Sequence, residues 1–312
     1  MEEQIYDVVV IGGGAGGLNS SLYASRSGLS VAIVERGLYG GQLLNTSEVE
    51  NLLGFGTVSG EELAESMEEQ VMKLDNIEHI YGDVIDLIKI NNVFETVLAN
   101  GDRIKSRTAV IATGVKHRKL GVAGESHYEG RGISTCENCD GAFFKGESVV
   151  IIGGGNTAVE GALYMQNIAK DVTLVYRGDK LRAENILQDR MNSKDNVTVV
   201  RNAETMYIGG DGNKVEFVDY IEKETNAVKR LEVQGVFVNV GMIPVTEAFK
   251  LTDHRLLDEF GYVINNSRTM ETQVSGLFAV GDVRADSVRQ IASAVGDGSV
   301  AGINIKKYIE TI

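Results

Sequence analysis

The sequence predicts an α/β fold built from two three-layer domains, with the second domain inserted into the first. One pattern of strand, turn and helix occurs twice, as YDVVVIGGGAGG (6–17) and ESVVIIGGGNTA (147–158). In each copy an Ala- and Leu-rich helical pattern follows the glycines, and a second strand closes the unit at 29–35 or 171–177. These are two β-α-β units of the Rossmann-like type, and 312 residues are enough for two domains.

Both turns have the glycine spacing of a dinucleotide-binding fingerprint. The first glycine permits a tight turn, the second lets a pyrophosphate approach the backbone, and the third small residue lets the helix pack closely on the strand. The helix also presents free N–H groups at its positive end. We therefore expect a dinucleotide at each turn, and the alternative is an ordinary tight turn. The fingerprint positions are Gly12, Gly14 and Gly17 in the first turn and Gly153, Gly155 and Ala158 in the second.

The end of each second strand indicates which dinucleotide is bound, because an acid there accepts from ribose hydroxyls whereas a 2′-phosphate requires cations. Glu35 lies 23 residues after Gly12, which predicts an adenosine without a 2′-phosphate, as in FAD or NAD. At the same offset from Gly153 stands Tyr176, followed by Arg177 and Arg182. This favours NADP over NAD at the second turn, the alternative being that the arginines belong to a solvated loop.

Composition excludes several classes of function. The net charge is −14, which argues against binding to nucleic acid or to an anionic membrane surface. No apolar run approaches the length of a membrane span, and the N-terminal residues do not resemble an export signal. We therefore expect a cytoplasmic protein.

Three further apolar runs indicate how the domains are connected. They are RTAVIATG (107–114), GVFVNVG (235–241) and GLFAVGDV (276–283). A dinucleotide unit interrupted by a second one implies a discontinuous first domain, formed by residues 1–114 and 245–312, with the second domain at 115–244. Asp282 follows the last run, where its carboxylate could accept from a ribityl hydroxyl; the alternative is an Asp that forms a turn.

The stretch STCENCDGAFF (134–144) contains both cysteines of the chain, Cys136 and Cys139. A structural zinc site needs four Cys or His ligands, and the four histidines have no paired spacing, so no metal is expected. In a reducing compartment a close pair is more often catalytic, since it can open to a dithiol and reclose through a mixed disulfide. Two inert buried thiols are the remaining alternative.

The chain resembles the bacterial low-molecular-weight thioredoxin reductases, which are flavin-dependent. The stretches that carry the resemblance are VIGGGAGG (10–17), GGQ (40–42), CENCDGAFFKG (136–146), GGGNTAVEGALY (153–164) and GDVRADSVRQIASAVGDG (281–298). They occur in the family's order and extend over nearly the whole chain. The resemblance implies a homodimer in which an NADPH domain interrupts an FAD domain.

Site residues follow from the resemblance position by position. It implies FAD contacts at the first glycine turn, at Glu35 and at a further set of positions, and NADPH contacts at the second turn and the two arginines. The further FAD set is Gly41, Gln42, Asn51, Thr113, Asp282, Arg289, Gln290 and Ile291. The NADPH set is Gly153, Gly155, Asn156, Thr157, Ala158, Arg177 and Arg182.

The resemblance also implies the chemistry of the cysteines. Cys139 is then the thiol that faces the flavin, Cys136 the thiol that attacks the disulfide of thioredoxin, and Asp140 the acid and base that handles protons. The physical logic agrees, because the thiolate is the nucleophile and a leaving thiolate needs a proton.

One motif departs from the family. The usual phosphate-binding pattern H-R-R-x-x-x-R reads YRGDKLR (176–182) here, so one arginine and the histidine are replaced. We expect NADPH to remain preferred, with a smaller margin over NADH than usual. Alternative functions are a flavoprotein that takes electrons from NADH or another donor, one that serves a peroxiredoxin, and a non-catalytic flavin redox sensor.

Overall fold

A computed structural model of the protein describes residues 4–46, 49, 51–249 and 256–312. The chain divides into two compact units, one of residues 1–116 and 243–312 and the other of residues 117–242. The sequence-based boundaries lie two residues away, at 114/115 and 244/245. Among the described residues, no helix is both long and apolar enough to cross a bilayer.

Strands and helices alternate in the two predicted β-α-β units. In chain order the elements are β1 (Ile5–Ile11), α1 (Ala15–Arg26), β2 (Val31–Glu35), α2 (Gly60–Met72), β3 (Ile77–Tyr81), β4 (Val84–Ile90), β5 (Val93–Leu98), β6 (Arg103–Ile111), β7 (Val115–His117), α3 (Glu125–Tyr128), β8 (Ile133–Ser134), α4 (Glu137–Asp140), β9 (Ser148–Gly153), α5 (Asn156–Met165), β10 (Asp171–Val175), α6 (Asn185–Asn192), β11 (Val197–Val200), β12 (Ala203–Gly210), β13 (Val215–Glu222), β14 (Ala227–Glu232), β15 (Gly235–Asn239), β16 (Met242–Pro244), β17 (Leu277–Ala279) and α7 (Ile291–Ile309). Runs of consecutive strands lie at β3–β7 and β11–β17. Short 3-10 helices lie at Gly41–Asn45, Gly141–Phe144 and Gly281–Val283.

The first unit contains a parallel sheet with the strand order β3-β2-β1-β6-β17. Strand β5 extends it by antiparallel pairing with β6, and β4 pairs antiparallel with β5. Side chains of β1 alternate between two cores. Val8 and Val10 pack with α1 and α7, whereas Val9 and Ile11 pack with β4 and β5. Helices, sheet and antiparallel strands therefore form three layers.

The second unit repeats this plan. Its parallel sheet has the order β11-β10-β9-β15-β8. Val149 and Ile151 of β9 pack with α5, while Val150 and Ile152 pack with a separate antiparallel sheet of β12, β13 and β14. Residues of the stretch 208–232 contribute to all three strands of that sheet. The predicted α/β fold of two three-layer domains is confirmed.

Both glycine turns lie at the carboxyl ends of the first parallel strands of their units. β1 is followed by the turn into α1, and β9 by the turn into α5. In open parallel sheets this edge is where ligands bind. The fold therefore positions each predicted dinucleotide turn at the ligand-binding edge of its own sheet.

Candidate active site

The first glycine turn is closed by packing at two of its three fingerprint positions and open at the third. A Cβ on Gly12 would lie 2.4 Å from the backbone oxygen of Ala112, and one on Gly17 only 1.9 Å from the oxygen of Gly12. At Gly14, the N-cap of α1, the nearest described atoms lie 4.0 Å away. Gly12 and Gly17 serve the turn and its packing, and Gly14 leaves room for a group to approach the backbone.

Glu35 stands at the end of β2 and fastens the same turn. Its carboxylate accepts the backbone N–H of Gly13 at 2.7 Å, of Arg36 at 2.8 Å and of Gly37 at 3.0 Å. A carboxylate offers about four acceptor sites, so capacity remains for a ribose hydroxyl. The residues fit an adenosine ribose next to a pyrophosphate.

Gly41 and Gln42 begin a 3-10 helix and Thr113 follows β6, all within the first unit. A Cβ on Gly41 would lie 3.2 Å from the Cα of Gly14, which brings Gly41 to the first turn. Gln42 donates from Nε2 to the oxygen of Val115 at 2.9 Å. Thr113 donates from Oγ1 to the oxygen of Val245 at 2.6 Å.

The C-terminal segment of the first unit supplies four predicted residues around one turn. Asp282 lies in the 3-10 helix after β17. Burial raises the pKa of its carboxyl, and the positive charge of Arg289 lowers it by a smaller amount. Arg289 itself is exposed, with its guanidinium 4.8 Å from the centroid of the Tyr262 ring. Gln290 caps α7, which begins at Ile291. Asn51 reaches this turn, because its Nδ2 donates to Oε1 of Gln290 at 3.0 Å.

A buried ion pair that sequence reasoning missed supports this turn. Arg284 donates to Asp297 of α7 from Nε at 2.6 Å and from Nη2 at 3.1 Å, and both side chains are buried. Asp297 also accepts the backbone N–H of Gly281 at 3.1 Å. The signal was available, since both residues belong to the GDVRADSVRQIASAVGDG stretch, but their spacing gives no local pattern.

The second glycine turn has the same division of roles. A Cβ on Gly153 would lie 2.3 Å from the backbone oxygen of Asn239, and Ala158 is fully buried beneath it. At Gly155, the N-cap of α5, no described atom lies within 4 Å of an added Cβ. The open position again precedes a helix N-terminus, which fits a bound pyrophosphate.

Side chains around this turn are mostly exposed. Asn156 donates from Nδ2 to Glu184 at 3.1 Å and accepts the backbone N–H of Glu184 at 2.9 Å. Thr157, the next residue of α5, is exposed. Arg177 and Arg182 are also exposed, and the backbone N–H of Arg182 donates to the oxygen of Gly154 at 2.6 Å.

Tyr176, which replaces the family's histidine, packs against two glycines. A Cβ on Gly154 would lie 2.4 Å from the ring, and one on Gly178 would lie 2.8 Å from it. Gly178 is the position where the family has its second arginine. The Tyr176 ring occupies the space that a larger side chain at position 178 would need. Tyrosine at 176 therefore requires glycine at 178.

Cys136 and Cys139 form a disulfide with an S–S distance of 2.03 Å. Cys136 is the N-cap of α4, and its Sγ accepts the backbone N–H of Cys139 at 3.2 Å. Cys136 and Asp140 are half-buried, whereas Cys139 is exposed. Asp140 ends α4, and its backbone N–H donates to the oxygen of Cys136 at 3.1 Å.

Glu137, between the two cysteines, is a further residue that sequence reasoning missed. It is buried, and it accepts a hydrogen bond from Asn239 at the end of β15. Its position inside the Cys-x-x-Cys stretch was the available signal. Within the described part of the chain, which leaves out His254, no group of three or more His, Cys, Asp or Glu side chains could hold a metal ion.

Comparison with known proteins agrees with this arrangement. The family described as pyridine nucleotide-disulphide oxidoreductase matches residues 6–298. The chain belongs to this family. A thioredoxin reductase of Listeria innocua is 44% identical over 311 residues, which cover 100% of this chain and 96% of the relative.

Solved thioredoxin reductases share the fold of this oxidoreductase. The crystal structure from Lactococcus lactis has a TM-score of 0.90 and 38% identity, covering 98% of this chain and 100% of the other. That from T. acidophilum has a TM-score of 0.86 and 38% identity, covering 98% and 99%. The resemblance stated from the sequence is confirmed. The chain is a flavoprotein disulfide oxidoreductase, in a family whose thioredoxin reductases use FAD and NADPH.

Proposed function

We propose that this protein is a thioredoxin reductase, which passes electrons from NADPH through FAD and the Cys136–Cys139 disulfide to oxidised thioredoxin. The observation that carries the proposal is the disulfide itself, in a helical turn just before the second of two dinucleotide turns. The thioredoxin reductases among its relatives, similar over the whole chain, support thioredoxin as the substrate.

We assign FAD to the domain of residues 1–114 and 245–312. Gly12, Gly14 and Gly17 form the pyrophosphate turn, and Glu35 accepts from the adenosine ribose. The other assigned contacts are Gly41, Gln42, Asn51, Thr113, Asp282, Arg289, Gln290 and Ile291. The open position at Gly14 supports this assignment, because a phosphate needs close access to the backbone there. When bound, FAD accepts a hydride from NADPH and supplies an electron pair for the disulfide.

We assign NADPH to the domain of residues 115–244. The open Gly155 and the N-terminal residues Asn156, Thr157 and Ala158 of α5 hold the pyrophosphate, together with Gly153 of the same turn. Arg177 and Arg182, both exposed, bind the 2′-phosphate. Because Gly178 supplies no third cation, the preference for NADPH over NADH is smaller than in relatives with the full motif.

Exchange with thioredoxin uses the reduced pair. The thiolate of Cys136 attacks one sulfur of the thioredoxin disulfide, forms a mixed disulfide and releases the other thioredoxin sulfur as a thiolate. The thiolate of Cys139 then attacks Cys136 Sγ, re-forms the Cys136–Cys139 bond and releases the second thioredoxin thiolate. Asp140 supplies and takes up protons for these sulfurs, which its place directly after Cys139 allows.

The proposal includes a homodimer in the cytoplasm, a compartment in which thiols are kept reduced. Multi-angle light scattering of the purified protein would test the dimer, and a mass equal to one chain would contradict it. The main test is steady-state oxidation of NADPH by the flavin-loaded protein. We expect turnover with oxidised thioredoxin and none when Cys136 is replaced by Ser; equal turnover of the two proteins would contradict the proposed route.

A further inference from the structure

Glu137 is an acid buried inside the redox loop, which we define as residues 134–144. It occupies the position after Cys136, and only 7% of its surface is exposed, whereas its neighbour Asn138 is exposed. Glutamate is almost never buried to this degree without a partner. The surroundings of this carboxyl therefore need to be accounted for.

The partner of Glu137 is Asn239, the last residue of β15. Asn239 donates from Nδ2 to Glu137 Oε1 at 2.5 Å. The other amide atom, Oδ1, is buried and has no hydrogen-bond partner among the described residues. Asn239 is also the strand neighbour of Gly153 in the second glycine turn. The hydrogen bond thus connects the redox loop to the strand end beside that turn.

Helix α5 is shaped to admit the carboxyl. Gly161 faces Glu137, and a Cβ at this position would lie 2.4 Å from Oε1 and 2.6 Å from the carboxyl carbon. Glycine in the interior of a helix lowers the stability of that helix. At position 161 this cost is offset by the room that glycine leaves for the Glu137 carboxyl. The Glu137 carboxyl of α4 therefore fits the space beside Gly161 of α5.

The surroundings favour a protonated carboxyl. Burial raises the pKa of Glu137, against smaller opposing hydrogen bonds. The titratable side chains on the elements packed against it are Asp140 on α4 itself and Glu160 and Tyr164 on α5, and none of them is a cation. A protonated carboxyl can donate to Asn239 Oδ1 while accepting from Nδ2, which satisfies the orphaned acceptor.

We propose that Glu137 is a positioning residue for disulfide exchange, which holds the redox loop on the end of β15 as a neutral acid paired with Asn239. This role rests on the proposed function, because it serves the exchange of the Cys136–Cys139 disulfide with thioredoxin. Reduction adds two electrons and breaks the S–S bond, and the two sulfurs take up protons as the pH dictates. The loop then loses its covalent cross-link, and the pairing of Glu137 with Asn239 keeps both sulfurs in place.

The protonation state is tested directly by infrared spectroscopy. The variant E137Q keeps the shape of the side chain and can make both hydrogen bonds. We expect the wild-type protein at neutral pH to show a carbonyl stretch of a protonated carboxylic acid that is absent from E137Q and unchanged in the loop control N138A. If the spectra of wild type and E137Q show no such difference, Glu137 is not protonated at neutral pH and this part of the proposal is wrong.

The positioning role is tested by alkylation of the reduced cysteines, which needs neither NADPH nor thioredoxin. After treatment with dithiothreitol, reaction with iodoacetamide is followed from pH 5 to 9 by mass spectrometry of each cysteine, at pH values chosen around the ordinary thiol pKa of ~8.5. We expect E137Q and N138A to keep the wild-type profile within about twofold, and E137A to change the ratio of Cys136 to Cys139 reactivity by about tenfold, because displaced reacting groups lose rate steeply.

Two further variants keep the test decisive if E137A folds poorly. N239A should reproduce the change of E137A, and the double variant should be no worse than either single one, as expected for residues that act as a pair. G161A should disturb the loop only while Glu137 is present, so E137A/G161A should be better folded than G161A. If the effects of E137A and N239A on cysteine alkylation add in the double variant, or if N239A has no effect, the positioning role of Glu137 is wrong. A wild type that fails to reduce thioredoxin would overturn the proposed function alone, since these readings do not require turnover.

Discussion

Arg284 and Asp297 form a bidentate, buried ion pair that joins the segment after β17 to helix α7. The same Asp297 accepts the backbone N–H of Gly281, next to Asp282. A single carboxylate therefore binds both Gly281 and Arg284, the residues on either side of Asp282 in this segment.

Replacing Asp297 by Ala should lower the free energy of unfolding by about 3–5 kcal/mol, because it leaves the Arg284 charge buried without its partner. Urea unfolding measures the change. The control is the double variant R284M/D297L, which replaces the pair by apolar side chains and should lose much less. Equal losses in both variants would contradict the assignment of the effect to an unpaired charge.

Replacing Gly14 by Ala should remove flavin without unfolding the protein. A Cβ there meets no described atom closer than 4.0 Å, so the free energy of unfolding of the flavin-free protein should change by less than about 1 kcal/mol. The methyl group would nevertheless occupy the space assigned to the pyrophosphate. Flavin absorbance per chain should fall at least tenfold below wild type, given that close phosphate approach requires the glycine (about 1.4 kcal/mol per factor of ten).

Gly17→Ala is the matched control for that experiment. Its Cβ would lie 1.9 Å from the oxygen of Gly12, so the variant should lose about 3 kcal/mol of stability or more through overpacking. Flavin loss in G17A should therefore accompany unfolding, whereas in G14A it should not. A G14A protein that retains its flavin would contradict the placement of the pyrophosphate.

The half-buried carboxyl of Asp282 makes stability depend on pH. Its folded pKa is raised above the ordinary value of 3.8 by desolvation, so its favourable contribution is present below that value and is lost as the pH rises through the folded pKa. D282N should therefore be more stable than wild type near pH 7, with the difference shrinking as the pH falls towards 4. Urea unfolding of the flavin-free proteins measures this. A constant difference across that range would contradict the shift.

Cofactor preference should respond to the pair of Tyr176 and Gly178. Gly178→Arg alone clashes with the ring, since a Cβ at 178 would already lie 2.8 Å from it. The double variant Y176H/G178R supplies a cation without the clash. A charge-assisted hydrogen bond contributes about 1.5–3 kcal/mol, so the ratio of kcat/KM for NADPH over NADH should rise about tenfold or more. An unchanged ratio, or a wild type that prefers NADH, would contradict the assigned 2′-phosphate site.

The sequence predicted those parts of the structure that local patterns determine. The two glycine turns, their strands and the position of Glu35 follow from short-range spacing, because the turn requires small residues where backbone meets backbone. Arg284 with Asp297 and Glu137 with Asn239 were missed, since each pair joins residues that are distant in sequence or lack periodicity. From the sequence, Tyr176 was recognised only as a replacement of the family's histidine. Its packing against Gly154 and Gly178 depends on the folded loop and has no signal in the sequence.

We expect electrons from NADPH to reach thioredoxin through the flavin and the Cys136–Cys139 disulfide. The most direct measurement is the flavin absorbance of the loaded protein, mixed without oxygen first with NADPH and then with oxidised thioredoxin. NADPH should bleach the flavin promptly, and thioredoxin should then restore the colour and acquire free thiols. Bleaching that persists after thioredoxin is added would contradict this route and would favour a redox sensor.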